Sequence, residues 1–206
     1  MKDVIDEYWK LWQKLHTYGD EVITPDGDTG FFGACFNDVT LTIELLTYYY
    51  NLWKQNYQKP QEEIDRNKEE NAQRVITITK WLFLAIVSAM EFDAKKKVTE
   101  TNRPEFLELK NSLMTDEKVY LSDIMEKLRD ARLLLHDNFN NFEAILYIRH
   151  CLIHNNGISN KDRLYAPIKN QLRRFEKGKM IQGNLHTFYK FSDILVEYYR
   201  DWLKKF

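Results

Sequence analysis

Apolar residues recur along this chain at helical spacing almost from end to end. Val4, Tyr8, Leu11, Trp12 and Leu15 fall on one stripe and predict a first helix over about residues 2–16. The segment TYGDEVITPDGDTG follows, with turn residues gathered between positions 25 and 30. A second helix is expected over about 36–57; it is unusually aromatic, with Tyr48, Tyr49, Tyr50, Trp53 and Tyr57. Pro60 then opens a charged stretch, 61–74, that runs without a breaker into the apolar residues 75–92. One long helix over about 61–97 is the simplest reading, ended by Asn102, Arg103 and Pro104. Shorter helices are expected over about 104–113 and 120–135, then a turn at DNFNN (137–141) capping the apolar segment FEAILYIRHCLIHNNG. Further helices are read over about 163–176 and 186–205, with a turn at GKMIQGN between them. No useful strand-period alternation is visible, and KMIQG is the one weak candidate for a hairpin edge. The pattern predicts an all-α, multi-helix bundle forming a single domain over 1–206.

Composition sharpens this only a little. Seven glycines and four prolines are few for a chain of 206 residues, which favours helices. Thirty basic side chains against 31 acidic ones give a net charge of −1, which argues against nucleic-acid binding driven by global charge but leaves room for a local basic cleft. Cys35 and Cys151 both read as small buried hydrophobes, so a reducing compartment is expected. The opening MKDVIDEYWKLW has acidic residues and no apolar run of signal-peptide character. The run 81–92 is short for a bilayer and contains Glu91, so a cytoplasmic protein without membrane contact is expected.

Candidate chemistry concentrates in RHCLIHNNG, residues 149–157. Phe142, Ile145, Leu146, Ile148, Cys151, Leu152 and Ile153 leave that helix almost no polar face, yet Arg149, His150 and His154 are set into it. Charged groups are seldom buried unless paired or employed. At roughly 100° per residue, Arg149 extends the stripe of Phe142, Ile145 and Leu146, whereas His150 and His154 share another face. Arg149 and His154 lie about 140° apart on the wheel. They converge on one small group only if the arginine bends round, if the helix stops near His154, or if a second copy brings its own pair alongside. Asn155, Asn156 and Gly157 favour a stop there. On the preceding apolar helix Glu91 is a natural partner for Arg149, and Lys95 shares the face of Glu91.

Other motifs carry less. DGDTG (26–30) starts like a calcium loop but has Asn37 where the twelfth-position glutamate belongs, so a polar turn is the better reading. His150, Cys151 and His154 resemble half of a zinc site with no second cluster to complete it, and no metal or cofactor is expected. The tyrosines at 48–50 and Trp53 fit a core or an oligomer interface better than a base-stacking platform.

Arg149, four intervening residues and His154, followed by Asn155 and Gly157, resemble the R-x4-6-H signature of the HEPN superfamily. The residue after the arginine is commonly polar in that family, and here it is His150. The resemblance covers residues 140–158 and, by helix order, about 75–206; residues 1–70 would be a helical extension. It implies an up-and-down helical core and a metal-independent endoribonuclease of a toxin or antiviral defence system. It also implies a homodimer whose two motifs face one cleft. His154 would transfer protons, Arg149 would stabilise the phosphorane, and His150 and Asn155 would position phosphate or His154. Glu91 and Lys95 would support the arginine, single-stranded RNA would be the substrate, and 2′,3′-cyclic phosphate would be the product. Two other readings stay open. One is a noncatalytic helical module binding RNA, nucleotide or a partner protein such as an antitoxin. The other is a scaffold in which Arg149, Glu91 and the histidines only satisfy one another.

Overall fold

The computed structural model describes residues 1–22, 29–55, 59–115, 117–133, 136–168, 171–181 and 183–203; for 136–138, 164–168 and 171–173 the backbone alone is described. Among the described residues the protein is all-α apart from one small two-stranded sheet. Helices α1 (Lys2–Val22), α2 (Gly30–Gln55) and α3 (Gln61–Glu100) lead to a short 3-10 turn (Pro104–Phe106). Then come α4 (Leu107–Met114), α5 (Leu121–Asp130), α6 (His136–His154), strands β1 (Arg163–Ile168) and β2 (Gln171–Phe175), and α7 (Thr187–Leu203). The expected calcium-like loop at 26–30 and Tyr57 fall largely outside the described residues.

The chain divides into two compact units, Met1–Ala89 with Gly183–Val196, and Met90–Gln182 with Glu197–Phe206. In the first, α1 packs against α2 and buries Val4, Tyr8, Leu11 and Leu15, the stripe anticipated from spacing. Trp12 donates its indole N–H to Thr40 Oγ1 at 3.0 Å and packs on Phe36. Lys14 pairs with Asp193, and Phe83 meets Phe188 and Phe191. The aromatic run on α2 is not core: Tyr48 is 57% exposed, and Tyr49 and Tyr50 lie beneath the cations of Arg74 and Lys54.

The second unit carries the motif. Its core combines Met90, Ala94 and Val98 with Ile124, Leu128, Phe142, Ile145, Ile148, Cys151 and Trp202, all fully or almost fully buried. At its centre the Tyr199 hydroxyl donates to Asp93 Oδ2 at 2.6 Å, with both residues buried.

Three expectations need correction. Residues 137–141 do not form a separate turn but begin α6. Residues 163–168 and 171–175 pair as antiparallel strands instead of forming a helix. Pro167 explains much of this, because it has no N–H and clashes with a helical turn. The register of the hairpin shifts between Tyr165 and Ile168, the interval containing that proline. Finally, the apolar run on α3 is longer than 81–92: the helix holds an 18-residue window of mean hydropathy 1.7, long and apolar enough to cross a membrane by length and composition. Soluble core helices meet the same criterion, and 39% of that window is buried within the protein.

Candidate functional site

Helix α6 ends at His154 because Asn156 and Gly157 both adopt left-handed backbone, with φ of 50° and 81°. The Gly157 N–H reaches back to the Cys151 carbonyl at 2.9 Å, and the Asn155 N–H reaches the same oxygen at 3.0 Å. The chain therefore leaves the helix sharply, one residue past the second histidine.

The termination leaves His150 and His154 facing solvent, their rings 4.9 Å apart between centroids and inclined by 46°. Ile153, which the sequence pattern assigns to the core, shares that face at 45% exposure. Arg149 lies on the neighbouring face, as the wheel angle requires. Its terminal nitrogen is 3.5 Å from Glu91 Oε2, and Lys95 donates to the other Glu91 oxygen at 2.8 Å. Arg149 is 29% exposed and Glu91 20%, so the pair is half-buried at the edge of the unit, not sealed inside it. Glu91, Lys95 and Arg149 thus come together as one cluster, and His150 with His154 as an adjacent one.

Two polar atoms here are shielded from water and meet no acceptor: Arg149 Nε and Asn155 Nδ2. Both are hydrogen-bond donors. Buried donors without partners are costly, and any acceptor, an anion among them, would satisfy them.

Burial first, and positive neighbours second, act on His150. Partial burial of the ring, followed by the charges of His154, Lys161 and Arg149, holds its pKa below the ordinary histidine value. The folded protein therefore binds that proton less readily than the unfolded chain, and the stability this group contributes is lost as pH falls below the ordinary value near 6.5. We expect the His150 ring, followed by NMR, to titrate below 6.5. Lys161→Ala should move the midpoint up, as should added inorganic phosphate. A midpoint indifferent to both would remove the positive cluster.

Lys161 was not singled out from the sequence. It is placed by Tyr147 of α6, whose ring lies 4.8 Å from the ammonium. The Tyr147 hydroxyl donates to Asn160 Oδ1 at 2.9 Å and sits 2.7 Å from Ser159 Oγ, while Ser159 donates to the Lys161 carbonyl at 2.7 Å. A tyrosine three turns into a buried helix is indistinguishable in sequence from ordinary core, so this support was not legible. Cys151 is fully buried and cannot join the histidines on a metal, and no group of three or more possible metal ligands gathers among the described residues.

Compared with protein-family models, curated proteins and solved structures, the chain matches none.

Proposed function

We propose that this protein is a metal-independent endoribonuclease of the HEPN type, acting on single-stranded RNA through Arg149 and His154. The observation that carries the reading is the end of α6, where two accessible imidazoles stand beside a glutamate-held arginine and two buried donors lack acceptors. In-line cleavage needs the 2′-hydroxyl deprotonated, the phosphorane stabilised and the 5′-oxygen protonated. A histidine exchanges protons near neutral pH, and His154 is the one at the helix end, beside the unpaired Asn155 amide. The guanidinium of Arg149 offers a fixed fork to phosphate oxygens; Glu91 holds one arm of it and leaves Nε directed elsewhere. His150 and Asn155 would hold the scissile phosphate, and Lys95 keeps Glu91 from neutralising Arg149 fully.

In this reading two copies pair so that both motifs serve one cleft, which brings Arg149 of one protomer towards His154 of the other. Cys35 and Cys151, both buried, accord with a cytoplasmic toxin or defence role. The test is incubation of purified protein with single-stranded RNA in excess EDTA. Fragments ending in 2′,3′-cyclic phosphate are expected; cleavage that requires added metal overturns the proposal. Binding without cleavage would leave the noncatalytic reading, which the ion pair between Arg149 and Glu91 equally serves.

A further inference from the structure

We propose that the ribbon after α6, residues 157–168 and 171–181, is a basic arm that grips the backbone of the RNA strand whose scissile phosphate sits at Arg149 and His154. The inference rests on the ribonuclease reading for its substrate class but not on turnover. Between positions 161 and 179 the sequence carries seven lysines or arginines against two acidic residues, in a chain whose net charge is −1. The basic charge is therefore concentrated here.

The ribbon is built to hold that charge in place. The segment after His154 pairs at once with the returning chain: Ile181 N–H to the Gly157 carbonyl at 2.8 Å, Ser159 N–H to the Lys179 carbonyl at 2.9 Å, and Gly178 N–H to the Ser159 carbonyl at 2.8 Å. Glu176 to Lys179 form a turn closed by the Lys179 N–H on the Glu176 carbonyl at 3.0 Å, with Gly178 at φ 78° where a side chain would be strained. One face of the hairpin packs on α6: Phe175 is buried edge-on against Tyr147, and Arg163 opposite it pairs with Glu143. Arg174, one residue before Phe175, must point the other way and is 75% exposed. Lys161, Lys177 and Lys179 are exposed as well.

The two acidic residues offset part of this charge, Glu176 through its pair with Arg174. Asp162 accepts the backbone N–H of Lys177 at 2.9 Å, and Glu176 stands 3.6 Å from Arg174. Exposed Ile158 and Met180, bridged across the ribbon, add apolar surface between the cations. Spaced positive charges with apolar surface between them suit a flexible strand of phosphates and bases better than a plain anion. The ribbon is hydrogen-bonded through Gly157, three residues past His154, so its base lies at the helix end that carries the imidazoles.

The test uses the full chain and a fluorescent 2′-O-methyl oligouridine, which lacks the nucleophile and cannot be cut. Binding is followed by anisotropy between 50 and 300 mM KCl. Arg174→Gln, Lys177→Gln and Lys179→Gln together are expected to weaken binding about ten- to a hundredfold at the lowest salt. The slope of log affinity against log salt should fall by roughly 0.7 per charge removed. These side chains are exposed, and circular dichroism confirms that the variant is folded. An unchanged affinity and slope overturn the arm, even if the wild-type protein cleaves RNA. Conversely, a wild-type protein that binds the modified strand through the arm but never cuts unmodified RNA keeps this inference and overturns the nuclease. Binding to anionic lipid vesicles with no binding to RNA overturns the arm as a nucleic-acid surface.

Discussion

His154→Ala is expected to lower the rate of RNA cleavage in EDTA by about 100- to 10,000-fold, the range seen when a positioned acid or base is removed. It should do so without disturbing the fold. His154 is exposed at the last helical residue, and surface substitutions of this kind usually change stability by no more than about 0.5 kcal/mol. The same variant should still bind the uncleavable strand, because the charges that attract it lie elsewhere. Arg149→Lys makes a useful companion: it keeps the charge near Glu91 but loses the planar fork, so cleavage should fall more than binding. Gel analysis of end-labelled RNA under single-turnover conditions reads both effects. If His154→Ala cuts as fast as the parent, the assignment of that imidazole is wrong, whatever the protein does otherwise.

Tyr199→Phe should have the largest effect on folding among conservative changes in the second unit. The hydroxyl it removes donates to Asp93 at 2.6 Å, and Asp93 is only 5% exposed. A buried acceptor left without its donor costs on the order of 1–3 kcal/mol, and more when charged. For a chain of this size each kilocalorie lowers the melting temperature by about 2–4 °C. A fall of roughly 2–12 °C is therefore expected in a calorimetric scan. Pairing the change with Asp93→Leu should recover part of the loss, since removing both partners strands neither. A melting temperature unmoved by Tyr199→Phe would mean that Asp93 is satisfied in some other way.

The helices were legible because their stripes are long and their breakers few. Val4, Tyr8, Leu11 and Leu15 all proved buried, and the stop at Asn155 to Gly157 followed from residue types that favour left-handed backbone. The hairpin was not legible as such: its many basic residues imitate a solvated helix until the missing N–H of Pro167 is weighed. The grouping of Glu91, Lys95 and Arg149 followed from the face shared by the first two and the need of a half-buried arginine for a carboxylate. The hold of Tyr147 on Lys161 depends on a chain reversal that no local pattern announces. Ile153 was misplaced for a related reason: apolar type fixes what a side chain prefers, while the early helix stop decides what it obtains.

Cys151 lies fully buried one turn before His154, and its carbonyl ties down both Asn155 and Gly157. Its sulfur is thus a clock for fraying at this helix end. A thiol reagent can reach it only when the final turn unwinds, so in a Cys35→Ser background the alkylation rate would count those openings. Occupancy of the neighbouring donors by phosphate should slow it, giving a readout of ligand that needs no catalysis at all.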